Sequence, residues 1–249
     1  MESNMQRLSS GKRINSAKDD AAGLAIVQRF AGQILAANQG QRNMSDAISM
    51  AQVGEGYATE MQDQIQRARE LAIQSSNGTL NESDRAALQA EYQQIQDEIK
   101  RNMDSAEFNG TKLLANGKDI NMQIGGNEDG SVNFKTHDLE SQLADFMNSD
   151  IASSDGALAS IDVLDNAQSL VGSIRSEYGA MNNRFEAIIS NQANKALNLE
   201  ASNSRINDTD YAQETSNMTR NLILQEAATA MQEQANMSQS HMMKLLGAA

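Results

Sequence analysis

The chain has 249 residues, of which 39% are hydrophobic and only 4% aromatic, so it offers few bulky side chains for a compact core and favours an extended helical shape. Its 20 basic and 33 acidic residues give a formal net charge of −13, which argues against a nucleic-acid partner because phosphate backbones are bound by excess Lys and Arg. The absence of Pro and Cys permits long unbroken helices and excludes disulfides and thiolate metal sites.

The first long helix is predicted over residues 33–76. The sequence before it is polar up to Asp20, and Ser16 to Asp19 resembles a capping box at the start of a helical pattern. The helix should end at Asn77-Gly78, because Gly readily adopts the left-handed conformation of a helix C-terminus. Small and apolar residues three or four positions apart mark its buried stripe. They are Ile34, Ala37, Met44, Ile48, Ala51, Ala58, Met61, Ile65, Ala68 and Ala72.

Two further long helices are predicted over residues 83–107 and 156–205. Ser83 is the expected N-cap of the first of these, whose stripe is Leu88, Tyr92, Ile95, Ile99 and Met103. The second carries a heptad repeat with Leu164, Ala167, Val171, Ile174, Tyr178, Met181, Phe185 and Ile188 at a and d positions. We therefore predict a mainly α fold, a long antiparallel helical rod in which three long helices form a coiled-coil-like bundle.

The segment between these helices contains the one β signal that we recognise. Ile120, Met122 and Ile124 alternate with polar residues, as do Val132 and Phe134, which predicts a β-hairpin over about residues 118–136 with one buried face. Its GGNEDG turn has a faint likeness to a calcium loop but lacks the ordered ligand positions of one, so a hairpin turn is favoured. A short helical turn is expected around residues 139–147.

A final amphipathic helix is predicted within residues 207–249. Its apolar positions are small or Met-rich, and such a helix needs a tertiary partner to be stable. We expect that partner to be another protein chain; folding back onto the same bundle is the alternative. A membrane surface is disfavoured because the stretch lacks the Lys, Arg and aromatic residues of interfacial helices. The candidate contact residues are Leu222, Leu224, Ala227, Met231, Ala235, Met242 and Leu245.

Signals of catalysis, metal binding and membrane insertion are missing from the sequence. His137 and His241 are the only histidines and form no zinc motif, so we expect both at the surface and predict no enzyme, cofactor or metal site. No run approaches the about 20 apolar residues that span a bilayer. The N-terminal region lacks the pattern of a secretory signal, so any export would use another route.

Six segments, in order, resemble bacterial flagellin, the flagellar filament subunit. They are RLSSGKRINSAKDDAAGLAIVQR (7–29), QRARELAIQSSNGT (66–79), LQAEYQQIQDEI (88–99), FNGTKLL (108–114), NRFEAII (183–189) and SRINDTDYAQETSNMTRNLILQEAATAMQEQAN (204–236). The resemblance implies a structural subunit that polymerises with its own copies into the extracellular filament used for motility. It also implies unfolded export through the flagellar type III channel and an export chaperone that binds the C-terminal helix. A hook–filament junction protein or a surface-adhesive flagellin homologue is the alternative.

The resemblance also implies a domain organisation. The family's outer variable domains are expected to be missing, since little sequence separates Leu114 from the third helix, and the N-terminal inner-core segment is expected to be shortened. We expect the region from about Tyr211 to be disordered alone and helical on a partner. The implied divisions are an inner-core remnant (1–19), a spoke linker (20–32), the helical rod (33–206) and a C-terminal inner-core helix (207–249).

A receptor epitope is the last implication of the resemblance. In flagellins recognised by toll-like receptor 5, the equivalent helix surface is the epitope, and the matching positions here are Arg67, Leu71, Gln74, Glu91 and Arg184. The residues by themselves indicate a solvated, ion-paired helix face, because residues three apart such as Arg67 and Glu70 are neighbours on a helix surface.

Overall fold

A computed structural model of the chain describes residues 2–126 and 130–246, and the side chains among them up to residue 238. It contains two compact units, described one at a time: a central unit, Leu35–Lys195, and a terminal unit formed by the residues up to Ile34 and from Ala196 onward. The helices are α1 (Glu2–Ser10), α2 (Ala21–Ser75), α3 (Glu82–Ser105), α4 (Leu139–Gln142), α5 (Ala144–Met147), α6 (Ser154–Asn207) and α7 (Tyr211–Leu246). The strands are β1 (Glu107–Phe108), β2 (Thr111–Lys112), β3 (Ile120–Gln123) and β4 (Ser131–Phe134).

Three long helices form the central unit, which confirms the predicted mainly α fold. The side chains of Arg69 and Asp165 join α2 to α6, with 2.6 Å between Nε and Oδ1, and Arg175 of α6 donates to Gln62 of α2. Residue numbers therefore rise along α2 as they fall along α6, so the two helices are antiparallel. Within the described residues, no helix is both long and apolar enough to cross a membrane.

The predicted helical stripes form the core of the central unit. On α6 the heptad positions from Leu164 to Phe185 are buried, and Ile188 is half-buried. On α2 the stripe is also buried, except that Ile34 and Ile48 are half-buried. Many of these α2 positions are Ala, which lets a neighbouring element approach closely. The buried face of α2 is wider than predicted, because it also includes Ala47, Met50 and Leu71.

The predicted hairpin is present as β3 and β4, and its aromatic end packs on α6. The strands pair antiparallel, with Ile120 opposite Phe134 and Met122 opposite Val132. The Phe134 ring stacks on Tyr178 at 6.0 Å and on Phe185 at 6.3 Å between ring centroids. Residues 127–129 of the GGNEDG turn lie outside the described part of the chain.

A second hairpin was missed in the sequence. Strands β1 and β2 flank Asn109 and Gly110, whose φ angles are 50° and 79°. Two successive left-handed residues are what a type I′ hairpin turn requires, and Asn-Gly is its preferred sequence. This dipeptide was not identified as a turn from the sequence, so the statement that the chain has a single β signal was wrong.

Two helix starts also differ from the prediction. Helix α2 begins at Ala21, because Asp20 accepts a hydrogen bond from the Gly23 amide at 2.8 Å and caps it. Asp19 instead accepts from the Ser16 amide in the preceding turn, which lowers the pKa of its carboxyl. Segment 20–32, predicted as a linker, is thus helical from Ala21 onward.

The N-cap of α3 is Asn81, not Ser83. The Asn81 side chain accepts from the Asp84 amide at 2.8 Å, and the Asp84 carboxylate accepts from the Asn81 amide at 3.2 Å. This reciprocal capping box satisfies two amides that the first helical turn leaves without partners. Ser83 lies exposed within the helix.

Candidate interaction surfaces

The described residues form no metal site: none of their His, Asp and Glu side chains gather into a group of three or more that could hold an ion. His137 was predicted at the surface, and this was wrong. Its side chain is only 13% exposed, its Nε2 lies 3.6 Å from a Glu177 carboxylate oxygen, and its ring meets Tyr178 edge-on at 5.5 Å. Burial lowers the pKa of His137, although Glu177 opposes that shift. The side chain of His241 lies outside the described residues.

Arg67, Glu70 and Glu91 form an exposed ion-pair surface across α2 and α3. Arg67 Nη2 lies 2.8 Å from Glu91 Oε1, and Arg67 Nη1 lies 3.0 Å from Glu70 Oε2. The hydrogen bond to Glu91, followed by that to Glu70, raises the pKa of the Arg67 guanidinium. All three side chains are about half exposed, so these pairs add little to stability and remain available to a partner.

The other predicted epitope residues on α2 differ in their exposure to solvent. Gln74 is exposed on α2, but Leu71 is only 1% exposed and belongs to the core. The expectation that the Leu71 side chain contributes to a receptor surface is therefore corrected: Leu71 lies three residues after Ala68 and next to Ala72, on the buried face of α2.

Arg184 is exposed on α6 but is remote from Arg67. Arg175, nine residues before it, donates to Gln62. At about 1.5 Å of rise per residue, Arg184 lies about 14 Å further along α6, beyond Gln62 and away from Arg67. The predicted residues thus form one cluster around Arg67, with Arg184 separated from it by about 20 Å along the helix axes.

In the terminal unit, residues 11–13 pair with residues 206–209, and we call this pairing the terminal clamp. The Arg13 amide donates to the Asn207 carbonyl at 2.6 Å, and the Thr209 amide donates to the Gly11 carbonyl at 3.0 Å. Gly11 has a φ of 68°, a left-handed conformation suited to Gly. The clamp brings the residues after α1 to the link between α6 and α7.

Side chains beyond the clamp hold the start of α7 against α1. The Tyr211 hydroxyl donates to the Leu8 carbonyl at 3.1 Å, and Arg7 lies 3.8 Å from the buried carboxylate of Glu214. Sequence reasoning missed all of these contacts. Their partners are about 200 residues apart, and pairing over such distances has no local signature.

A long described stretch of α7 is exposed. Every side chain from Leu222 to residue 238 is exposed in the described structure, including the predicted contact residues Leu224, Ala227, Met231 and Ala235. Met231 is 70% exposed. The side chains of Met242 and Leu245, which were also predicted to make contacts, lie outside the described residues.

The apolar side chains of α7 lie on more than one side of the helix. With about 100° between successive residues, Leu224, Ala227, Met231 and Ala235 fall within about 80° of one another, and we call them the C-terminal stripe. Leu222 lies on the opposite side, and Ile223 lies between. Over its whole length α7 is thus less regularly amphipathic than predicted, although the four stripe residues do share one face. The apolar residues of α7 therefore cover a wider part of its circumference than the C-terminal stripe alone.

Comparison with known proteins identifies the family. The description "Bacterial flagellin N-terminal helical region" matches residues 1–119, and "Bacterial flagellin C-terminal helical region" matches residues 161–246. A flagellin from Halalkalibacterium halodurans is 42% identical, with 97% of this chain and 90% of the relative covered. Bacillus subtilis flagellin is 37% identical, with 98% and 91% covered. The flagellar filament 30.7 kDa core protein of Treponema maltophilum is also 37% identical, with 99% and 92% covered.

Solved structures agree with this assignment. The crystal structure of Bacillus cereus flagellin is 30% identical, covers 61% of this chain and 88% of its own, and superposes with a TM-score of 0.56. A putative flagellar hook-associated protein from Vibrio parahaemolyticus shares the fold with a TM-score of 0.63 at 13% identity, over 76% of this chain and all of its own. With nearly its whole length matched to flagellins, this chain belongs to the bacterial flagellin family.

Proposed function

We propose that this chain is a structural subunit that polymerises with copies of itself into an extracellular flagellar filament. The observation that carries the proposal is the contrast between the units. The central unit buries most of its large apolar side chains, with Leu35, Ile73 and Leu158 as exposed exceptions, whereas α7 exposes Leu222, Ile223, Leu224 and Met231 along one helix. A helix with exposed apolar residues on several sides needs several neighbours, and copies of the same subunit can supply them.

The charges of α7 also favour self-association. The chain as a whole carries −13, but Arg220, Glu226 and Glu233 are the only charged residues between positions 215 and 238. Copies of this segment therefore repel one another little when they meet. When each copy binds the next one head-to-tail and the rotation between neighbouring copies does not close a ring, the copies form a filament. The names of the relatives, which include a flagellar filament core protein, support this form of assembly.

Electron microscopy after salting-out tests the proposal. Ammonium sulfate screens the net charge and strengthens apolar burial, so the full chain should form long helical filaments. The same preparation at low salt should stay dispersed and serves as the control. Amorphous precipitate or small closed rings would contradict the proposal. A hook–filament junction role, suggested by the fold shared with a hook-associated protein, predicts short caps or rings instead of long filaments.

The same proposal includes export from the cell and binding by a chaperone before assembly. The subunit would pass unfolded through the flagellar type III channel, which suits a chain without disulfides that would have to be reduced first. Before assembly, a dedicated export chaperone would cover the exposed apolar residues of α7. The expectation that the region from Tyr211 is disordered in the isolated subunit remains a prediction.

We further propose that the exposed cluster around Arg67 is the contact for toll-like receptor 5. Arg67→Ala should raise the concentration needed for half-maximal activation of receptor-expressing reporter cells by about tenfold, because a central Arg is a typical interface hot spot. Thermal unfolding should be nearly unchanged, since the side chain is exposed and its ion pairs lie in solvent.

Arg101→Ala is the matched control for this prediction. Arg101 is likewise an exposed Arg, paired with Glu98 three residues before it, but it lies on another part of α3. It should leave activation unchanged. Equal losses in both variants, or no loss in Arg67→Ala, would show that the Arg67 cluster is not the epitope.

A further inference from the structure

The buried and the strongly exposed methionine side chains of the described residues lie in different units. The chain has 14 Met and no Cys, so thioethers are its only sulfur groups. Five Met side chains are at most 8% exposed: Met44, Met50, Met61, Met103 and Met181. All five belong to the central unit. Among the described side chains, the strongly exposed thioethers lie in the terminal unit instead.

Three described Met side chains are strongly exposed. Met5 of α1 is 55% exposed, and Met231 and Met237 of α7 are 70% and 54% exposed. Oxidation of Met by hydrogen peroxide requires the oxidant to reach the sulfur. An S–O bond forms as the peroxide O–O bond breaks, the sulfur loses two electrons, and the peroxide is reduced to water. The free subunit is therefore open to this reaction in its terminal unit, while the packed core shields the five buried thioethers of the central unit.

Met231 is the exposed Met at which oxidation would matter most. It lies four residues from Ala227 and four from Ala235 on the C-terminal stripe, so it is the long side chain between two short ones. A partner packed on the stripe would enclose its thioether. Sulfoxide formation turns this flexible apolar group into a polar, chiral one that has no hydrogen-bond partner in an apolar contact.

We infer that Met231, together with Met237, is an oxidation site at which hydrogen peroxide blocks assembly of the free subunit, and from which methionine sulfoxide reductases restore it. This inference rests on the proposed function, because the effect on assembly requires α7 to be a contact between subunits. The oxidised subunit keeps its folded central unit, since five of the thioethers there are buried and those of Met122 and Met147 are half-buried. Assembly in turn protects Met231, because the partner covers it.

The first experiment measures site selectivity and does not depend on the proposed function. The full-length monomer is treated with hydrogen peroxide, quenched with catalase, and digested for mass spectrometry at successive times. Met231 and Met237 should be oxidised at least about tenfold faster than Met44 and Met61, in line with their exposure. Similar rates at all four sites would overturn the inference.

The second experiment measures assembly. Oxidised wild type should need an about tenfold higher concentration to polymerise than untreated protein, which corresponds to losing one well-buried apolar contact. Treatment with methionine sulfoxide reductases should reverse the change. The double variant Met231→Leu/Met237→Leu, which keeps side-chain volume, should assemble equally well before and after peroxide. Met5→Leu is the matched control and should remain sensitive to peroxide.

The outcomes separate this inference from the proposed function. If untreated wild type does not polymerise, the proposed function fails, and the effect on assembly fails with it. If untreated protein polymerises and oxidised protein does so equally well, only the present inference fails. It also fails if the double Leu variant stays sensitive to peroxide, or if the reductases remove the sulfoxides at positions 231 and 237 without restoring assembly.

Discussion

Replacing Gly40 by Ala is expected to lower the free energy of unfolding by about 3 kcal/mol, near the upper end for overpacking of a well-packed site. A Cβ at position 40 would lie 1.9 Å from the carbonyl oxygen of Ile124 and 2.8 Å from its carbonyl carbon. Both contacts are with backbone, which cannot turn aside as a flexible side chain can. Gly40 is buried on α2, and Ile124 directly follows the last residue of β3.

Hydrogen bonds hold the β3–β4 hairpin in place beside Gly40, so the hairpin cannot move away from a new Cβ without weakening them. The Asn43 side chain donates to the Gln123 carbonyl at 2.7 Å, and the Ile124 amide donates to the Gly130 carbonyl at 2.7 Å. A displacement large enough to accept the new Cβ would strain or break the Asn43 bond. Urea titration followed by circular dichroism should show the loss as a lower midpoint with a nearly unchanged slope.

Gly56→Ala supplies the control on the same helix. No atom lies within 4 Å of a Cβ built at this exposed position, so Ala should be tolerated and should stabilise the helix by up to about 1 kcal/mol. The two substitutions then have opposite signs. If Gly40→Ala were also neutral or stabilising, the close approach of Ile124 to α2 would be wrong.

Local signals in the sequence account for most of the fold. The stripes on α2 and α6 were predicted because residues three and four apart share a helix face whatever surrounds them. The β3–β4 hairpin was predicted because its alternation is equally local. Even the errors in local structure were near misses: Asn81 and Asp84 have the spacing of a capping box, and Asn109-Gly110 has the sequence of a type I′ turn. Both signals are present in the sequence, but neither was recognised.

Contacts between distant residues could not be predicted in this way. Nothing near Gly40 indicates that the Ile124 carbonyl lies against it, and nothing near Gly11 indicates pairing with Thr209. Leu71 shows the same limit within the candidate epitope. Its neighbours Arg67 and Gln74 are exposed. Leu71 is buried because the buried face of α2 is wide enough to include it. The exposure of α7 was anticipated because its small apolar residues offer too little surface to stabilise a helix alone.

Leu224→Glu is expected to have the largest effect on assembly. Leu224 is exposed in the described structure and belongs to the C-terminal stripe, so the substitution places a carboxylate where a partner would bury an apolar side chain. Burying an unpaired charge is far more costly than losing the apolar contact. The concentration needed for seeded polymerisation should rise at least about 100-fold, which corresponds to about 3 kcal/mol per contact. Sedimentation, which separates polymer from monomer, measures this concentration.

The monomer itself should be unaffected, because Leu224 is exposed there and the described structure of α7 gives it no core to disturb. Thermal unfolding of Leu224→Glu should therefore match wild type. Gln225→Glu is the control for charge: it adds the same carboxylate one residue away and off the C-terminal stripe, and it should change the polymerisation threshold only slightly. If both variants assembled like wild type, α7 would not be a subunit contact. The two variants add the same charge and differ only in its position. If both failed to polymerise to the same extent, assembly would depend on net charge and not on the C-terminal stripe.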